Sequence, residues 1–128
     1  MRKNLGGAVI VGTKERIHRS GSRWRCRSYV GITHSPELMV AGHNDKVIWT
    51  VLNLSSAQVR VELIDFVMAV GPGHFVTLGI RPKPVDVKPG RAKLISAKVP
   101  GAAQAGCYTY TILIDGRPAL DPELQIED

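Results

Sequence analysis

Hydrophobic and polar residues alternate along most of this chain, in short runs broken by Gly, Pro and Asn/Asp turns. The longest run lies near the end. In Gly106-Cys107-Tyr108-Thr109-Tyr110-Thr111-Ile112-Leu113-Ile114-Asp115-Gly116, one face at period two carries Tyr108, Tyr110, Ile112 and Ile114. The other carries Cys107, Thr109, Thr111 and Leu113. Tyr, Thr and Ile fit a pleated, half-buried surface. The stretch predicts one long strand ended by an Asp-Gly turn, then a short closing strand from Glu123 to Glu127.

The same period recurs upstream. Val47, Trp49 and Val51 share a face of a strand from Lys46 to Leu54, with Trp49 as a core aromatic. Val59, Val61 and Leu63 predict a strand over 57–68, ambiguous from Leu63 to Val67. Gly71-Pro72-Gly73 is a turn, and His74 to Ile80 a further strand. Pro82 and Pro84 predict an edge or extended connection, because Pro cannot donate to a ladder. Lys88-Pro89-Gly90 turns into a strand over 91–99, with Ile95, Ala97 and Val99 facing one way. Shorter strands are expected over 8–11, 29–33 and 37–41. Many short strands with frequent turn signals predict an all-β, Greek-key β-sandwich of about seven to nine strands.

Composition adds limits. A chain of 128 residues with 44% hydrophobic content is expected to form one domain with one core. No run approaches the ~20 apolar residues of a membrane span, so no membrane partner is expected. Leu5 to Val11 follows Arg2 and Lys3 as a secretion signal would begin. Gly6 and Gly7 interrupt it, however, and Lys14, Glu15 and Arg16 follow without a small-residue cleavage site. The expected location is cytoplasmic. Cys26 and Cys107 could form one disulfide, but a cytosolic setting and their wide separation favour free thiols, with Cys107 a small buried hydrophobe. Asn53-Leu54-Ser55 matches a glycosylation sequon but carries little meaning without secretion.

Charge changes the picture most. Residues 1–30 hold eight Lys/Arg and one acid, a balance of +7, while the remainder holds nine basic and ten acidic residues, a balance of −1. The sequence thus divides into a basic N-terminal arm, 1–28, and a sandwich domain, 29–128. Within the arm, Arg16, Arg19, Arg23, Trp24, Arg25 and Arg27 are candidate polyanion-binding residues. Arg makes bidentate contacts to phosphate, and Trp stacks on bases. A solvated tail or a basic edge strand explains the same residues.

The other candidates are weaker. His34, His43 and His74 sit at expected turns, and His43, His74 and Asp45 would be the metal ligands if turns at one sandwich end converged. No nucleophile elbow, phosphate loop or zinc-protease motif is present. Asp115, Asp121 and Glu123 are read as turn and strand-start residues, so no catalytic residue is expected.

The second half carries a resemblance. Val87-Lys88-Pro89-Gly90, Pro100-Gly101, Gly106-Cys107-Tyr108-Thr109-Tyr110, Ile114-Asp115-Gly116 and Asp121-Pro122-Glu123-Leu124-Gln125-Ile126 resemble the closing strands of bacterial immunoglobulin-like and cupredoxin-like domains. The resemblance covers roughly residues 37–128. Gly106-x-Tyr108 is similar to part of a tyrosine corner, in which the phenol bonds back to nearby backbone. Gln104 and Tyr110 stand where the full immunoglobulin pattern has Asp and Cys. Cupredoxins hold copper with two His, one Cys and usually a Met. After Cys107 this chain has no His and no Met, so the resemblance implies a member lacking the copper ligands, with no metal and no cofactor.

The function expected is a non-catalytic interaction domain that binds a protein partner or self-associates, using exposed strand edges. The alternative is binding of nucleic acid or another polyanion through the basic arm. A second alternative is a small metal-binding protein or enzyme built on the turn residues.

Overall fold

A computed structural model describes residues 5–20, 23–35 and 38–128, with side chains at 5–12 and 38–128. Eleven strands follow in order among these residues: β1 (Gly6–Ser20), β2 (Arg23–Ser35), β3 (Leu38–Gly42), β4 (Lys46–Asn53), β5 (Val59–Gly71), β6 (His74–Thr77), β7 (Val85–Val87), β8 (Ala92–Lys98), β9 (Gly106–Ile114), β10 (Arg117–Leu120) and β11 (Glu123–Glu127). They form two sheets. One has the order β2-β1-β4-β8. The other has the order β3-β11-β9-β5-β6, with β10 beside β9 and β7 beside β5. The pairs β1/β4 and β3/β11 are parallel; the other pairs are antiparallel. The fold is an all-β sandwich.

The alternating residues meet between the sheets. Val47, Trp49 and Val51 of β4 and Tyr108, Tyr110 and Ile112 of β9 are all buried. The Trp49 indole donates to the Tyr110 hydroxyl at 3.0 Å, and Phe66 stacks on Tyr110 with ring centroids 4.7 Å apart. Burial of each such side chain stabilises by about 1.5–3 kcal/mol. The Tyr108 hydroxyl donates to the Gln104 carbonyl at 2.6 Å, which forms the tyrosine corner that Gly106-x-Tyr108 implied.

The ambiguous stretch of β5 is a strand with a bulge. Asp65 takes a left-handed φ of 57°, and the register with β9 shifts between Ile64 and Val67. The extra residue reverses the alternation. Val59, Val61 and Leu63 face the core before the bulge, and Phe66 and Met68 after it.

Residue 28 lies inside β2, and β1 contributes Val9 and Val11, both fully buried, to the core. Charge separates residues 1–28 from the rest, but the period-two pattern of Ala8-Val9-Ile10-Val11 joins them to it. Cys107 is exposed rather than buried, because it lies on the opposite face of β9 from Tyr108. The strand expected from His74 to Ile80 stops at Thr77, ahead of Gly79 with its φ of 78°.

Candidate interaction surface

Among the described residues, strand β8 is an edge of its sheet, paired with β4 alone. Its ladder residues can be sorted by the bonds at its ends. The Val99 N–H donates to the Asp45 carbonyl at 2.8 Å, and the Val99 carbonyl accepts from the Asn44 N–H at 3.0 Å. At the other end the Arg91 carbonyl accepts from the Asn53 N–H at 3.0 Å. Residues two apart in an antiparallel strand aim their backbone groups the same way. The backbone groups of Lys93, Ile95 and Ala97 therefore face β4. Those of Ala92, Leu94, Ser96 and Lys98 point outward, where among the described residues no strand pairs with them.

A groove of about 580 Å³ lies along this outer edge. One wall is β8 from Leu94 to Lys98; the other is the extended segment from Gly79 to Lys83. Pro82 and Pro84 keep this segment out of any ladder, as their missing N–H groups require. Leu94 is 62% exposed, a large apolar side chain open to contact. Sequence reading named strand edges as the contact surface without saying which edge. The pairing order leaves β2 and β8 at the ends of one sheet and β3 and β6 at the ends of the other, and this groove lies at β8.

The six polyanion candidates all fall on the hairpin of β1 and β2. Its register sets Arg16 opposite Arg27, Arg19 opposite Trp24 and Ser20 opposite Arg23, with Arg25 opposite His18. The parallel pairing of β1 with β4 covers only Gly6 to Val11, so these positions lie beyond it. Their side chains, with those of Cys26 and His34, are outside the described set.

The turn residues do not assemble. His43 Nε2 lies 2.6 Å from the Ala103 carbonyl, and the Asp45 carboxylate accepts from the Gly42 N–H at 2.7 Å. His74 is exposed at the start of β6. Among the described residues no group of three His, Cys, Asp or Glu side chains is placed to hold a metal ion. The carboxylates have structural partners: Asp115 accepts from the Arg60 N–H at 2.8 Å, and Asp121 from the Thr111 hydroxyl at 2.9 Å. Asn53 is fully buried. Its amide donates to the Ala57 and Val87 carbonyls, both at 2.8 Å, and its carbonyl accepts from the Ser55 N–H and hydroxyl. The sequon match is thus a buried structural polar cluster.

The donors do not fit copper either. The Cys107 thiol donates to the Glu123 carboxylate at 3.4 Å on the exposed face of β9. Partial burial first, then that hydrogen bond and the Glu123 charge, push the thiol up from its ordinary range. Met39 is fully buried, its sulfur 3.8 Å from the Tyr110 hydroxyl, and Met68 packs over Gly106.

No protein-family model and no curated protein matches the sequence. Solved structures do. A multicopper oxidase aligns over 99% of this chain and 45% of its own, with a TM-score of 0.50 and 6% identity. The purple cupredoxin from Nitrosopumilus maritimus aligns over 94% of this chain and 98% of its own, with a TM-score of 0.44 and 14% identity. Reduced auracyanin from Roseiflexus castenholzii aligns over 75% and 88%, with a TM-score of 0.45 and 13% identity. This chain spans less than half the length of the oxidase, and likeness at such identity shows the fold alone. The fold is cupredoxin-like, and its described residues bring together no copper ligands.

Proposed function

We propose that the chain is a non-catalytic interaction module that takes an extended segment of a protein partner onto the outer edge of β8. The carrying observation is the row of outward-facing backbone groups at Ala92, Leu94, Ser96 and Lys98 beside an open groove. An added strand satisfies that row, and side-chain pockets set selectivity. Ser96→Pro tests this, because it removes an outward N–H and no bond to β4. Selection from a displayed library of extended peptides is expected to enrich sequences that bind the wild type and lose binding to Ser96→Pro, with thermal unfolding unchanged. Equal enrichment on both proteins counts against the reading.

A second reading has its own support in the β1–β2 register, which gathers Arg16, Arg19, Arg23, Trp24, Arg25 and Arg27 on one hairpin. It assigns that hairpin to nucleic acid or another polyanion. Deleting residues 1–28 is a poor test, since it removes Val9 and Val11 from the core. Arg→Gln substitutions at 23, 25 and 27 leave those valines in place. Salt-sensitive binding of single- or double-stranded DNA or RNA that these substitutions abolish supports the reading. Absence of binding by the wild type at low salt removes it.

A further inference from the structure

We propose that the β8 groove selects an acidic partner segment, one alternating apolar and carboxylate side chains. This rests on the edge-strand reading above and adds the chemistry of the occupant. Arg81 and Lys83 line one wall of the groove and Lys98 the other, and among the described residues no acidic side chain lines it. Lys46 stands directly opposite Lys98 in the β4–β8 ladder. Like charges at opposed positions repel. Asp45 adjoins Lys46 in sequence, and its carboxylate accepts from the Gly42 N–H. Glu62 and Asp65 line a neighbouring cleft that shares Gly79 to Pro82 with this groove, whereas the charged side chains lining the groove itself are all cations.

Apolar walls intensify that charge. Leu94, Ile80 and Pro82 line the same groove, and a cleft with one sign of charge and low-dielectric walls concentrates its field. An alternating strand sets its carboxylates on the outer face, beside Lys98, and turns its apolar residues to the opposite face, toward the groove wall that carries Ile80 and Pro82. The backbone decides between an acidic polypeptide and a nucleic acid. The outer edge of β8 presents alternating N–H donors and carbonyl acceptors, which another polypeptide strand matches. A phosphodiester backbone offers acceptors without donors and leaves the β8 carbonyls unanswered.

The test uses the full chain and three fluorescent probes: a peptide of about ten residues alternating Val and Glu, its Val/Lys counterpart, and a single-stranded DNA oligonucleotide. Each is titrated against wild type, Ser96→Pro and the charge reversal K83E/K98E, with thermal unfolding as the folding control. The wild type is expected to bind the Val/Glu peptide about tenfold tighter than the Val/Lys peptide, a preference of about 1.4 kcal/mol. K83E/K98E is expected to invert that preference, and Ser96→Pro to lose both peptides. Equal binding of both peptides by the wild type, abolished by Ser96→Pro, overturns the acidic selection and leaves the edge reading standing. A Val/Glu preference that survives K83E/K98E places the acid-binding charge elsewhere, such as the unaltered β1–β2 hairpin, and also overturns it. Val/Glu binding that survives Ser96→Pro removes strand addition itself. DNA binding lost in K83E/K98E, with neither peptide bound, assigns the groove to nucleic acid instead.

Discussion

Tyr110 is the residue on which core polarity and pH meet. Burial pushes its phenol up to about 12, while the hydrogen bond with Trp49 pulls the other way. The unfolded value is about 10, so the folded value is the raised one. The contribution is therefore complete below pH ~10 and lost as pH rises from ~10 through ~12, amounting to about 2–3 kcal/mol. Urea unfolding of wild type and Tyr110→Phe across this range checks it. The variant is expected to be less stable by about 1–3 kcal/mol near neutral pH, because the Trp49 N–H loses its acceptor. The difference should close above pH ~12; a constant difference would sink the assignment. Two further residues have local reasons. Asn53→Ala leaves the Ala57 and Val87 carbonyls and the Ser55 groups without their partner, and should cost about 2–4 kcal/mol in the same assay. Gly106 has a φ of 145°, and a Cβ there would overlap Met68 Sδ, so Gly106→Ala is expected to cost about 1–3 kcal/mol. Of these roles, the Tyr108 corner was legible in sequence. The Trp49–Tyr110 bond was not, because it joins residues 61 apart in the chain.

Among the elements, β8 carries the sharpest prediction. Adjacent prolines there should behave oppositely. Ser96→Pro leaves the β4 ladder intact, whereas Ala97→Pro removes one of its hydrogen bonds and should cost about 3 kcal/mol more, read as a difference in unfolding midpoint. Equal losses would place the open edge incorrectly. Strand faces were readable wherever alternation was regular, as in β4 and β9. They were lost in β5 at Asp65, where one extra residue reverses which parity is buried. Nothing in the pattern Leu63-Ile64-Asp65-Phe66-Val67 announces a bulge, since apolar residues occupy both faces. Edge status was not legible either. It depends on which strands meet, and alternation within one strand is silent about neighbours.

For the whole molecule, charge and burial divide the first residues differently. A charge balance of +7 over residues 1–30 marks them off as an arm, yet β1 lies between β2 and β4 within the sheet. Charge reports what faces solvent and ions; burial is decided by a few apolar residues. Val9→Ala and Val11→Ala should each cost about 2 kcal/mol in urea unfolding. A detachable arm would show no change. The copper ligands are read at the opposite extreme, from chemistry alone: no His or Met follows Cys107 in the sequence, and among the described residues the Cys107 thiol meets Glu123.

Strand β11 has a consequence for synthesis. Glu123–Glu127 fills the slot between β3 and β9, parallel to the first and antiparallel to the second. Until these residues leave the ribosome, Leu124 and Ile126 are missing from the core and two ladders stand open. A nascent chain halted before residue 123 thus holds a sheet with a vacancy shaped for one strand. Any extended segment within reach, including the same strand from a neighbouring nascent chain, is a competitor for that place. Folding of this protein is in this sense a race that its own β11 must win.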